Sequence, residues 1–191
     1  MELPPNANVI DKYKWDRLTK WTTELIKEDL QKTAFPCAVL MENFAGDFNI
    51  GTVIRNANAF NAKEVFYLGM RHYDKRGTVG THHYTNVTHL RSVDELSALK
   101  ERYTLVGIEN SVSGAVSLGD FKWPNNPLLI IGEEGVGITP QTLALCDHCV
   151  YIPQYGSVRS LNAGVASGIA LQHFVSNYVD KYGRISSSTT I

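Results

Sequence analysis

Short apolar runs rich in Val, Ile, Leu and Tyr alternate along this chain with segments of helical periodicity, and that alternation restricts its fold most. The runs Cys37–Met41, Glu64–Leu68, Tyr103–Ile108, Leu128–Ile131 and His148–Ile152 read as strands buried on both faces. Between them, Ile50–Phe60, Val93–Glu101, Pro140–Leu145 and Leu161–Tyr178 read as helices. Ser92 with Glu95 forms a capping box, and Thr139 before Pro140 sets a cap ahead of a first-turn proline. The pattern predicts an α/β fold, with a mainly parallel sheet covered by helices on both faces.

Ahead of this alternation, Lys14–Lys32 has an amphipathic helical pattern. Trp15, Leu18, Trp21, Leu25, Ile26 and Leu30 share one face, and Arg17, Lys20, Glu24 and Lys27 the other. Such a helix packs on a core or a dimer partner, or binds RNA; amphipathicity favours packing. Residues 1–10 read as irregular and the terminal SSSTTI as a loose tail. The expected organisation is an extension over 1–35, one domain over 36–180 and a tail over 181–191, since 191 residues suit a single core. No apolar run approaches the ~20 residues that span a bilayer, and the N-terminus lacks a signal-peptide pattern. Three cysteines do not make a disulfide framework, so a reducing cytoplasm is the expected home. A net charge of −1 argues against a nonspecific nucleic-acid coat and leaves room for a local basic patch.

In open parallel sheets, ligands sit beyond the carboxyl ends of the strands. Three segments follow strands and carry unusual residues: Glu42–Arg55, Gly132–Gly137 and Pro153–Asn162. In the first, Asn49 suits the cap of the helix that Ile50 begins. Arg55, about one and a half turns on, is either a surface ion-pair partner or a guanidinium that grips phosphate or carboxylate. The second almost spells a phosphate loop, but Ile138 stands where lysine belongs and Glu133 and Glu134 would repel a triphosphate. Its glycine order also fails the dinucleotide fingerprint. A neutral or cationic cofactor suits this loop better. The third, YIPQYGSVRSLNAGVA, offers Arg159, Ser160 and Asn162 before a long apolar helix, where one cap would suffice. With no histidine in any of the three loops and no G-x-S-x-G elbow, hydrolytic triads are disfavoured.

In order and spacing, these loops resemble the three motifs of the SpoU (TrmH-type) family of RNA 2′-O-ribose methyltransferases, within the SPOUT superfamily. Asn49, Gly51 and Arg55 resemble N-x-G-x-x-x-R. Gly132, Glu134 and Gly137 resemble a strand ending in G-x-E followed by glycine. Ile152, Pro153, Gly156, Ser160, Leu161 and Asn162 resemble I-P-x-x-G-x-x-x-S-L-N. The likeness covers roughly Pro36 to Val179. It implies a deep C-terminal trefoil knot, where the residue pattern alone predicts an unknotted chain. It also implies a homodimer, and S-adenosyl-L-methionine held by Ile108, Glu109, Gly132, Ile152, Gly156, Ser160 and Leu161, largely through backbone. Arg55 would be central to catalysis, with Asn49, Glu134, Ser160 and Asn162 orienting it and the loops. Electrostatic activation by Arg55 is favoured over proton abstraction, since guanidinium keeps its proton above pH ~12.

RNA is the implied substrate, tRNA ahead of rRNA because no long rRNA-type appendage is evident. Arg55, Arg71, Lys75, Arg76 and Arg159 are the candidate RNA contacts. The run Arg71 to Arg76, followed by His82 and His83, mixes cations with an aromatic, as phosphate and stacking contacts do, though a plain surface loop has the same composition. For Arg159, a solvated surface residue is favoured over an RNA contact. Ala163-Gly164 departs from the β-branched and small polar pair often found after the family's asparagine, which bears on knot packing. Cys146-Asp147-His148-Cys149 has no second ligand pair, so burial is expected rather than a metal. A non-catalytic RNA-binding relative is disfavoured by the presence of Arg55, Ser160 and Asn162 together, and a nucleotidase by Ile138.

Overall fold

The computed structural model describes residues 22–44 and 48–183. The expected helix start at Lys14 with Trp15, Leu18 and Trp21, the irregular residues 1–10 and the terminal SSSTTI lie outside them. The described part of that helix is α1, Thr23–Lys32. Thr22 caps it by accepting the Leu25 N–H at 3.3 Å. Ile26 and Leu30 are buried as the amphipathic pattern requires, but Leu25, placed on the same apolar face, is 48% exposed.

Five strands form the centre of the sheet: β1 Phe35–Asn43, β2 Ala62–Gly69, β4 Thr104–Ile108, β6 Pro127–Ile131 and β7 His148–Tyr151. Two short strands, β3 Val87–Leu90 and β5 Val116–Ser117, complete a seven-stranded sheet in the order β3-β2-β1-β6-β4-β7-β5. Every pairing is parallel, with Val39 of β1 facing Val65 of β2 on one side and Leu129 of β6 on the other. The sequence predicts the five inner strands and misses the two at the edges. Inner strands β1, β4 and β6 are mostly apolar and buried on both faces, whereas β3 (VTHL) and β5 (VS) are short and partly exposed.

The helices are α2 Asn49–Ala59, α3 Val93–Ala98, α4 Pro140–Leu143 and α5 Ala163–Tyr182. Ser92 caps α3 at the Glu95 N–H, while Glu95 returns its bond to the Arg91 N–H, one residue upstream of the capping-box partner. Thr139 caps α4 ahead of Pro140. Strand residues alternate between two cores. Cys37, Val39, Met41, Val65, Val106 and Leu129 pack with Ile50, Val53 and Ile54 of α2 and Leu171 and Phe174 of α5. Ala38, Leu40, Phe66, Leu105, Leu128 and Ile130 pack with Leu96 and Leu99 on the other face. Helices therefore cover both faces, as expected.

Two further contacts position the site. Asn56 of α2 donates to the Gly164 carbonyl at 2.7 Å and to Ser167 Oγ at 3.0 Å, fixing α2 against the first turn of α5. Glu42, fully buried near the carboxyl end of β1, accepts the Thr139 N–H at 2.8 Å and its hydroxyl at 2.7 Å. That pair ties the end of β1 to the loop that follows β6.

Candidate functional site

The three loops meet at the carboxyl ends of β1, β6 and β7, and Asn162 is where they join. It is the N-cap of α5, its Oδ1 accepting the Val165 N–H at 3.1 Å. That bond fixes the amide orientation and turns Nδ2 outward. Nδ2 then donates to Asn49 Oδ1 at 3.0 Å and to Glu134 Oε1. One amide thus uses its acceptor for a helix and its donors for the other two loops. Asn49 is not the expected cap: it is the first residue of α2, behind Phe48, which makes no side-chain capping bond. Its side-chain oxygen accepts from Asn162, ahead of α5 on the same face of the sheet.

Beside this junction lies a cleft of about 480 Å³. Ile108, Glu109, Gly132, Ile152, Ser160 and Leu161, all expected at a cofactor, line it together with Glu134 and Arg159. Gly156 does not line it and has open space around it. The glycine loop forms one wall. It closes on itself through the Gly137 N–H to the Glu133 carbonyl at 2.9 Å. A Cβ on Gly132 would overlap the Gly137 carbonyl carbon and the Ile138 nitrogen, so only glycine allows this fold-back. Glu109 supports the same wall, its carboxylate accepting the Ile138 N–H at 3.1 Å and the Asn110 N–H at 2.8 Å. The wall carries glutamates and no lysine, which disfavours a polyphosphate and suits a ligand with positive charge.

Arg55 is exposed on α2 and takes part in none of the ion pairs among the described residues. The turn holding Lys75 and Arg76 lies against the start of the same helix. Gly51 makes this possible, because a Cβ there would come within 2.9 Å of the Asp74 carbonyl oxygen and of Gly77 Cα. Arg71, Lys75 and Arg76 are exposed. Arg76 is tied to Asp74, and its hydrogen bonds hold the Asp74 carboxyl below the usual range. Asn43, next to Glu42, donates to the Met70 carbonyl at 2.7 Å and the His72 carbonyl at 3.2 Å, and so anchors the start of this loop. Arg55 thus lies on α2 and Lys75 and Arg76 on the turn packed against the start of that helix, while Arg159 lines the cleft.

Burial pushes the Cys146 thiol up to about 12 and also raises Cys149, and no metal-holding cluster occurs among the described residues. Sequence reasoning passed over Glu42, Asn43 and Gln154. For the first two, the available signal was a polar pair closing an otherwise apolar strand. Gln154 sits inside the third motif at a position the motif leaves unspecified.

These features define an α/β protein with a glycine-walled ligand cleft at the carboxyl ends of parallel strands. The chain belongs to the SpoU rRNA Methylase family, whose model matches residues 36–172. It is similar to the tRNA (guanosine(18)-2′-O)-methyltransferase of Escherichia coli K12, at 30% identity over 70% of this chain and 60% of that protein. It is also similar to a 23S rRNA (guanosine-2′-O-)-methyltransferase of Coxiella burnetii, at 31% identity over 74% of this chain and 59% of the relative. The chain thus spans about three fifths of the length of either relative. Among solved structures, the SpoU methyltransferase AviRb of Streptomyces viridochromogenes, in complex with AdoMet, superposes with a TM-score of 0.68 at 29% identity. That match covers 77% of this chain and 58% of AviRb.

Proposed function

We propose that this chain is an S-adenosylmethionine-dependent RNA 2′-O-ribose methyltransferase acting on tRNA. The observation that carries the reading is the junction of Asn49, Glu134 and Asn162, one residue from each motif, beside the cleft and at the start of the helix that carries the exposed Arg55. The cofactor fits the residues present: a wall with carboxylates and no lysine accepts a sulfonium cation, and a buried side-chain oxygen of Gln154 offers an acceptor in the cleft. When bound, S-adenosylmethionine supplies an electrophilic methyl group. Ile108, Glu109, Gly132, Ile152, Ser160 and Leu161 would hold it, and Gly156 would keep its loop open.

Arg55 would bind an RNA phosphate beside the target ribose and polarise the 2′-hydroxyl, whose proton passes to solvent; bound S-adenosylmethionine would supply the methyl group, its carbon–sulfur bond breaking to leave S-adenosylhomocysteine. The guanidinium stays charged throughout, so its contribution is alignment and electrostatic stabilisation. Asn49, Glu134, Ser160 and Asn162 keep α2 and the cleft wall in register. Arg71, Lys75 and Arg76 extend the phosphate contact away from the cleft, and Arg159 contacts RNA where it crosses the rim.

We place the catalytic domain at residues 36–180, with 1–35 as an N-terminal extension and 181–191 as a tail. The trefoil knot belongs to this reading. It is supported by the path of the chain, which leaves β4 for the edge strand β5, returns to insert β6 between β1 and β4, and then adds β7 on the far side. A homodimer is supported by exposed Val165 and Ile169 on α5 beside an open apolar groove; light scattering reads its mass. The cytoplasm is the compartment consistent with an RNA substrate and free thiols. Ribosomal RNA is the second reading, favoured by the name of the Coxiella relative.

The test is transfer of labelled methyl from S-adenosylmethionine to bulk tRNA and, separately, to rRNA. Label in neither fraction refutes the activity, and label in rRNA alone selects the second reading. Arg55→Ala should keep S-adenosylhomocysteine affinity within about twofold and lose at least about 100-fold in transfer. Equal loss of both would refute its role.

A further inference from the structure

Gln154 lines the glycine-walled cleft along with Ile138, Leu143 and Ile152. Its Oε1 is buried from solvent and accepts no hydrogen bond from the described residues. A buried amide oxygen without a donor is unfavourable, and folded proteins leave few of them. This one belongs to a residue that lines a space able to hold a ligand.

The cleft is unequal from rim to interior. Glu134, Arg159 and Ser160 are exposed, whereas Ile138, Ile152 and the Gln154 oxygen are buried. A charged part of a ligand belongs at the exposed rim, since desolvating an ion is costly. The neutral, flat part belongs inside, among the isoleucines. In S-adenosylmethionine the charged atoms lie in the amino-acid and sulfonium portions, and the neutral flat portion is adenine. Within that base, the exocyclic amine supplies the N–H donors.

Resting on the cofactor reading above, we propose that Gln154 accepts a hydrogen bond from the exocyclic amine of the bound adenine and so selects adenine nucleosides for this cleft. Gln154 is then a specificity residue of the site, with no part in the transfer step itself.

The experiment is calorimetric binding of two ligands to the full chain: S-adenosylhomocysteine and its analogue whose purine lacks the exocyclic amine. Wild type should bind the analogue about tenfold more weakly. Gln154→Met, close in volume but without the oxygen, should bind S-adenosylhomocysteine about tenfold more weakly and no longer distinguish the two. Gln154→Glu, which retains an oxygen acceptor, should still distinguish them, and it provides the reading if the methionine variant fails to fold. Discrimination that persists in Gln154→Met, or that is missing in wild type or Gln154→Glu, overturns the assignment. Wild type that binds S-adenosylhomocysteine without regard to residue 154 overturns this inference alone. Failure of wild type to bind it at all overturns the cofactor reading as well.

Discussion

Replacing Asn162 separates its two duties, because each end of the amide does different work. Asn162→Ala removes the cap on the Val165 N–H, worth about 1 kcal/mol. It also removes the bonds to Asn49 and Glu134; at this exposed position water replaces them, so together they contribute about 1 kcal/mol more. A loss of about 2 kcal/mol in a chain of this size lowers the melting temperature by about 4–8 °C. Asn162→Asp behaves differently. Its carboxylate still caps the helix and is favoured by the helix dipole, so stability should stay within about 1 kcal/mol of wild type. But an oxygen now faces the Glu134 carboxylate and the Asn49 oxygen where two donors stood. Repulsion should part the first and second loops from the third and cut methyl transfer by about 100-fold. Scanning calorimetry on the three proteins, with single-turnover transfer to bulk tRNA at saturating cofactor, reads both effects. An aspartate variant as active as wild type, or an alanine variant that melts with it, would refute the argument that this amide organises the site.

Glu42→Leu leaves the Thr139 N–H without its acceptor and should cost about 1–3 kcal/mol in urea unfolding, with weaker S-adenosylhomocysteine binding as the glycine wall loosens; unchanged stability would remove the clamp from the account. Burial holds His173 below the usual imidazole range, and its Nδ1 accepts the Trp123 indole N–H at 2.9 Å. The unfolded imidazole titrates near pH ~6.5 and takes up a proton first, so His173 contributes fully above that value and its contribution falls as pH drops through the lower folded value. His173→Gln, which keeps an acceptor and does not titrate, should flatten that part of the acid loss in urea unfolding followed by tryptophan fluorescence. Equal acid sensitivity in the two proteins would rule it out.

The inner strands were legible because strands covered on both faces are mostly apolar, as β1, β4 and β6 are. Edge strands carry no such requirement, so β3 and β5 left no mark. Asn49 shows the limit of local reasoning at the site. Its preference for helix starts is real, yet in the structure it sits one position inside the helix and its oxygen serves Asn162. Glu42 and Gln154 were missed for a related reason: their partners, Thr139 and the interior of the cleft, lie across the sheet rather than nearby in the chain.

The sequence alone determined the alternation, the helix caps at Ser92 and Thr139, and three unusual loops after strands, the second of which suits a ligand lacking phosphates. Only the tertiary structure decided that the loops meet, the second and third lining one cleft and the first joined to them through Asn49. It inserts β6 between β1 and β4, which aligns the carboxyl ends of strands from distant parts of the chain. Capping and burial are local or one-dimensional properties that a sequence displays directly. Hydrogen bonds such as Asn49 to Asn162 to Glu134 join residues far apart in the chain, and they exist only once strand order has brought their ends together.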